Sequence, residues 1–323
     1  MSYLDAVRDL YDEAAASPMA NLCCVPSRPA YYPGLHIPDS MIQMNYGCGA
    51  TVHPQDLGAD QTVLYVGVGG GLELLQFAWF TRAPGSVIGV DPVERMRDAA
   101  RRNLDEAAAT NDWFDPSFVD LRDGDALALP IDDASIDVAA QNCLFNIFKR
   151  GGDLETALRE MHRALKRGGR LTMSDPITPR AMPDHLERDA RLRAMCISGC
   201  LTYDEYIGAI VDAGFGAIEV RSRRPYRLLD PETFGVDEPL LLETIEVAAF
   251  KVPVPDDGPC VFTGRYAVYA GPDERFDDGR GHVLERGLPL PVCDKTAGAL
   301  AALGDPNLLV TESTWHYGGG GCC

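Results

Sequence analysis

The feature that most limits the fold is a regular alternation of short apolar runs and amphipathic stretches across the first half of the chain. Thr62–Val66, Val87–Val90 (ended by Asp91), Phe118–Arg122, Ile136–Ala140 and Arg170–Ser174 have the length and composition of strands. Between them, Leu72 to Phe80, Glu94–Ala108 and Leu154–Leu165 carry helical periodicity, and Gly168-Gly169 suits a C-cap for the last. Strand alternating with helix at this rhythm predicts an α/β fold built on a parallel, doubly wound sheet. Thr62–Val66 is followed at once by Gly67, Gly69, Gly70 and Gly71, so the first strand-to-helix turn is glycine-rich.

Around this block the pattern changes. Tyr3 to Ala15 reads as a helix with an apolar stripe of Leu4, Val7, Leu10, Tyr11 and Ala14. From Ser17 to Pro54 the chain is rich in Pro, Gly and Tyr and has no period, which is too long for a plain connection and suggests a lid or wall. Beyond Pro183 come two helices, Tyr203–Ala213 the clearer, then a strand around Ile218–Arg221 and short strands such as Phe262–Tyr269. The expected organisation is an N-terminal helix and cysteine-containing lid over residues 1–54, a Rossmann-like domain over 55–180, and a smaller α+β domain over 181–323.

Charge and cysteine usage narrow the function. Acidic residues outnumber basic ones 48 to 29, and a net charge of −19 repels phosphate backbones and anionic lipid. Neither nucleic acid nor a membrane is an expected partner. The N-terminal stretch lacks the basic and apolar regions of a signal peptide, so a cytoplasmic, thiol-reducing compartment is expected. The ten cysteines are then not expected to form a disulfide framework, and with no CxxC pair or zinc-finger spacing no metal cofactor is expected.

Glycines let a backbone approach a ligand where a Cβ would collide, and Gly67, Gly69 and Gly71 open a helix whose N-terminus favours polar groups. Asp91, at the end of the second strand, can accept hydrogen bonds from both hydroxyls of a ribose. NAD enzymes use the same device, so an NAD-dependent oxidoreductase stays open on these residues. The segment Asp123-Gly124-Asp125-Ala126-Leu127-Ala128-Leu129-Pro130, followed by Ser135-Ile136-Asp137-Val138, resembles class I S-adenosylmethionine methyltransferases, where an acid reaches the adenine amine. That resemblance implies S-adenosylmethionine binding by Gly67, Gly69, Gly71, Asp91, Asp125, Ala126 and Asn142. Many such enzymes carry an acid where Tyr65 stands here, and Glu73 is the candidate to replace its contact with the methionyl amine.

Four further segments resemble the arsenite methyltransferases. Asn21-Leu22-Cys23-Cys24 is similar to that family's N-terminal pair, and Asn45-Tyr46-Gly47-Cys48-Gly49 to its Tyr-Tyr-Gly-Cys-Gly segment. Gln141-Asn142-Cys143-Leu144 resembles its Ser-Asn-Cys motif, and Cys196-Ile197-Ser198-Gly199 its fourth cysteine segment, with Cys200 where alanine usually follows. The C-terminal part, from Gly264-Arg265-Tyr266 through Pro291-Val292-Cys293-Asp294-Lys295-Thr296-Ala297 to Cys322-Cys323, also looks related, most of all to the branch associated with arsenosugar pathways. The resemblance implies methyl transfer to trivalent arsenic held by Cys48, Cys143 and Cys196, with Cys23, Cys24 and Cys200 as further candidates. Trivalent arsenic is soft and prefers thiolates. Three of them leave a lone pair that can attack a sulfonium methyl in line, so no general base is needed.

Cys196 is read as preceding a helix whose N-terminus helps hold a thiolate. Transfer leaves pentavalent arsenic, which two ligand thiols can reduce by closing a disulfide that thioredoxin or glutathione reopens. Methylated trivalent arsenicals are therefore expected substrates beside arsenite. Cys260 and Cys293 are assigned to structure, and Cys322-Cys323, on a glycine tether, to arsenite capture or electron shuttling. The rival readings are a methyltransferase for another small molecule and a thiol-based metalloid sensor or scavenger.

Overall fold

The computed structural model describes residues 2–19, 22 and 30–319. Its elements in chain order are α1 (Tyr3–Ala16), α2 (Asp39–Gln43), β1 (Val63–Val66), α3 (Leu72–Thr81), β2 (Val87–Asp91), α4 (Glu94–Thr110), β3 (Val119–Asp123), β4 (Ile136–Asn142), α5 (Asp153–Ala164) and β5 (Leu165–Thr178). Then follow α6 (Asp184–Glu187), α7 (Ala190–Ala194), β6 (Leu201–Thr202), α8 (Tyr203–Asp212), β7 (Ala217–Leu229), α9 (Pro231–Phe234), β8 (Leu240–Phe250) and β9 (Cys260–Phe262). The chain ends in β10 (Arg265–Tyr269), β11 (Arg275–Asp277), β12 (Val283–Glu285), β13 (Leu290–Val292), α10 (Asp294–Ala302) and β14 (Leu308–Val310).

Among the described residues the main sheet has the order β3-β2-β1-β4-β5-β8-β7-β9, with β6 beside β5. Strands β1 to β5 run parallel, and β8 enters antiparallel to both β5 and β7. The period of two along each strand sorts its side chains between two apolar layers. Val63 and Tyr65 join the layer of α1, α3 and α4, while Leu64 and Val66 join that of α5 and α8. Helices on both faces explain why β1 and β2 are buried at every position and read as continuous apolar runs.

Four expectations change. Gly168-Gly169 does not cap α5, because Leu165 is already extended and starts β5. Register runs from Ile136↔Leu165 to Val138↔Arg170, so residues 166–169 bulge opposite Asp137, and Gly168 takes φ +76° there. The strand near Ile218 is a long one, Ala217–Leu229, and the run Phe262–Tyr269 is two strands broken at Gly264, whose φ is +80°. Cys196 follows α7 instead of preceding a helix, and takes φ +56°. A helix N-terminus therefore does not explain its thiol.

Strands β7, β8 and β9 widen the same sheet that β1 to β5 begin, so the expected division near residue 180 lies within shared β structure. Beyond β9, the antiparallel sheet β13-β10-β14, the β11–β12 hairpin and α10 enclose their own apolar cluster around Tyr269, Leu284, Val292 and Leu300.

Candidate active site

Parallel α/β sheets bind ligands at the carboxyl ends of their strands. A cleft lies there, lined by Gly67 and Gly69 after β1, Asp91 at the end of β2, Asp125 and Ala126 after β3, and Asn142 and Cys143 at the end of β4. Gly67 and Gly69 take φ +82° and +50°, a region that favours glycine, and so present bare backbone to the cleft. Gly71, which caps α3 at φ +86°, packs on Ala100 of α4 instead and does not line the cleft.

Asp91 is buried, and its two oxygens accept from Val93 N at 2.8 Å and Val68 N at 3.0 Å. Burial pushes its carboxyl up to about 6, against the pull of those two amides. Asp125 accepts from Leu127 N at 3.0 Å and pairs with Arg8 at 3.0 Å. Arg8 belongs to α1, and Leu4, Val7 and Tyr11 of the same helix form the cleft's outer wall. The sequence offered only one apolar stripe here. The structure splits it: Leu10 and Ala14 are buried in the core, while Leu4, Val7 and Tyr11 are half-buried over the cleft.

Glu73 is buried but turned away from the cleft, accepting from Asn142 Nδ2 at 3.1 Å and bonded to Tyr65. Burial raises its pKa. Asn142 does more than line the cleft. Its Oδ1 accepts from Cys48 N at 3.0 Å and its Nδ2 donates to Gly49 O at 2.9 Å, so it clamps the Gly-Cys-Gly loop onto β4.

A chain of contacts links four cysteines. Cys48 Sγ lies 3.3 Å from Ser174 Oγ, and Ser174 O accepts from Cys143 N at 2.7 Å. Cys196 Sγ donates to Cys143 O at 2.7 Å, and Cys200 Sγ to Cys196 O at 3.4 Å. All four cysteines are buried. Among the described residues no three His, Cys, Asp or Glu side chains are already grouped as a metal site. The cysteines are gathered, but their sulfurs are not yet turned into one cup. Cys23, Cys24, Cys322 and Cys323 lie outside the described residues.

Cys143 sits at φ +62°, a backbone that costs a side chain energy unless its surroundings impose it. Fully buried Asp175, which the sequence reading passed over, helps to impose it. Its carboxylate accepts from Phe145 N at 3.1 Å, Tyr206 OH at 2.9 Å and Gln141 Nε2, while Gln141 Oε1 accepts from Leu144 N at 2.7 Å. Burial pushes Asp175 up to about 7. Its one signal in the sequence was an Asp-Pro pair inside an apolar strand.

Comparison with known proteins agrees with this geometry. A methyltransferase domain model matches residues 64–173, and a domain of unknown function matches residues 256–303. An arsenic(III) S-adenosylmethionine methyltransferase from Chlamydomonas reinhardtii superposes with a TM-score of 0.62 over 90% of this chain and 99% of that one, at 23% identity. Fold and sheet order define a class I S-adenosylmethionine methyltransferase architecture. The arsenite methyltransferase of Aquipseudomonas alcaligenes is 30% identical over 262 residues, spanning 78% of this chain and 72% of that protein. Those of Halobacterium salinarum and Homo sapiens are 29% and 27% identical over 43% and 44% of their lengths. The chain belongs to the arsenite methyltransferase family.

Proposed function

We propose that this protein transfers the methyl group of S-adenosylmethionine to trivalent arsenic held by the thiolates of Cys48, Cys143 and Cys196, in arsenic detoxification or organoarsenical biosynthesis. The observation that carries the reading is that Cys143 lines the same cleft as Gly67, Gly69, Asp91 and Asp125. Bare glycine backbone, two carboxylates at strand ends and apolar walls fit an adenosyl group. When bound, S-adenosylmethionine supplies an electrophilic methyl carbon on a sulfonium. Asp91 would hold the ribose hydroxyls and Asp125 the adenine amine, once Arg8 releases it. Exchange of the three hydroxyls of arsenous acid for three thiols releases three waters and leaves the arsenic lone pair free. Cys196 has to leave the Cys143 carbonyl to join. A thioredoxin-type protein or glutathione would restore the thiols after transfer.

The test is an assay with radiolabelled methyl donor, arsenite and thiol, followed by speciation of the products. Labelled methylarsenicals are expected. Label transferred only to an organic acceptor, with arsenite inert, would defeat the reading.

Asp91→Ala should weaken S-adenosylmethionine binding by about 1.5–3 kcal/mol, the range for a lost charge-assisted hydrogen bond. Titration calorimetry checks it, and an unchanged affinity in a folded variant contradicts the role. A pH dependence goes with it. Ribose hydroxyls donate to the ionised carboxylate, and in the free protein that carboxyl titrates at about 6. Affinity should be flat above neutrality and fall as pH drops through that value, approaching about tenfold per pH unit below it. Asp91→Asn should flatten the profile. A wild-type profile already flat from pH 8 to pH 5 would remove Asp91 from the binding step.

A further inference from the structure

Where β9 meets α10 the protein contains a second pair of cysteines that the methyl-transfer site does not use. Cys260 comes from β9 and Cys293 caps the N-terminus of α10, and both are buried in one cluster with Phe262 and Tyr317. Phe262 and Tyr317 stack at 4.7 Å. Thr263 Oγ1 donates to Asp294 at 2.6 Å, which fixes the first turn of α10 against the end of β9.

Hydrogen bonds tie this pair to its surroundings. Lys295 Nζ donates to Asp257 at 2.5 Å and to Gly258 O at 2.7 Å, strapping the loop before β9 over the cluster. Cys293 Sγ lies 3.2 Å from Thr296 Oγ1, and Thr296 Oγ1 lies 3.4 Å from His282 Nε2. His282 Nδ1 is in turn 2.5 Å from Asp278. A hydroxyl, an imidazole and a carboxylate in series give the Cys293 proton a route out.

The pair stands apart from the methyl-transfer site. Cys260 faces Ala217 on β7, then Phe250 on β8, Arg170 on β5 and Val138 on β4, while Cys143 lies further along toward the opposite end of that strand. Four strand spacings sideways and five residues along β4 separate the two by roughly 25 Å. No arsenic atom can be shared between them.

We propose that Cys260 and Cys293 form a second, independent dithiol site that chelates a trivalent arsenical. The choice of ligand rests on the proposed function, since a protein that handles trivalent arsenic exposes any paired thiols to it. For an organoarsine oxide, two As–S bonds form and the arsenic–oxygen bond is lost. Both thiol protons leave with that oxygen as one water, and arsenic stays trivalent. Access runs through the loop before β9, where residues 253–257 are exposed. The pair lies within residues 256–303, the segment matched by the domain of unknown function, and gives that domain a chemistry.

The test loads the reduced full-length protein with phenylarsine oxide, removes excess by gel filtration and measures arsenic per chain by elemental mass spectrometry. Cys260→Ser and Cys293→Ser should each lose one equivalent, and the double variant no more than that one, because a chelate needs both sulfurs. The same loss is expected in a Cys143→Ser background, so a failed catalytic assignment leaves this readout intact. Turnover at saturating arsenite should stay within twofold in the Cys260 and Cys293 variants. Should the substitutions unfold the protein, wild-type protein decides: phenylarsine oxide should slow peptide-mapped N-ethylmaleimide labelling of Cys260 and Cys293 together, at least tenfold. Unchanged arsenic content in the folded variants, or unprotected labelling in wild type, overturns the proposal.

Discussion

Replacing Cys143 by serine is expected to abolish methylation of arsenite while leaving S-adenosylmethionine binding within about twofold. Serine is nearly isosteric and can keep the backbone held by Ser174 O and the Asp175 network. The loss would then be chemical, since a hydroxyl is a hard, neutral donor that does not replace a soft thiolate on arsenic. Even the loss of an outer partner around a metal costs about 10–100-fold, so the loss of a sulfur ligand should exceed about a hundredfold. Cys48→Ser and Cys196→Ser should behave alike with arsenite. A monomethylated arsenical has one position already filled and needs only two sulfurs, so one of the three variants is expected to keep activity on it. Cys196 is the natural candidate, because its thiol must swing from the Cys143 carbonyl before it can bind. Three serine variants that each turn over arsenite at the wild-type rate would place the thiol site elsewhere.

The strands were legible because both faces of the sheet are covered, which turns each into an apolar run bounded by turn residues. Ends were less legible where neighbours decide them. Extended Leu165 makes β5 begin at the last turn of α5, and β7 runs on to Leu229 because β8 pairs with it along its length. The cleft residues fell where strand-end logic puts them, except Gly71 and Glu73. Gly71 caps α3 and Glu73 lies in its first turn, and they turn toward Ala100 and Asn142, a matter of rotation about a helix that a pattern of glycines does not encode. The covering role of α1 was not readable, since a stripe facing a ligand cleft and one facing a core are equally apolar. Cys260 and Cys293 are distant in sequence and without a motif, so only packing brings them together.

The Gly47-Cys48-Gly49 loop offers two substitutions whose effects should separate. At Gly49 a Cβ would lie 2.2 Å from Ser174 Oγ and 2.7 Å from Glu246 Oε1. Neither atom can retreat cheaply. Ser174 Oγ is engaged with Cys48 Sγ and Thr244 Oγ1, while Glu246 is buried, accepts from Ala50 N and pairs with Arg224. Overpacking of this kind costs about 1–3 kcal/mol, and here relief means moving Cys48 away from Ser174. Gly49→Ala should therefore lower arsenite methylation by more than about tenfold. It should leave S-adenosylmethionine affinity within twofold, because neither Ser174 nor Glu246 lines the cleft. At Gly47 the obstacle is Asn142, whose Nδ2 would stand 2.2 Å from the added carbon. Asn142 does line the cleft, so Gly47→Ala should weaken both methylation and cofactor binding. Calorimetry on the two variants beside product assays reads the difference. Wild-type turnover in Gly49→Ala would show that the close approach of this loop to Ser174 is dispensable, and with it the fixed position of Cys48.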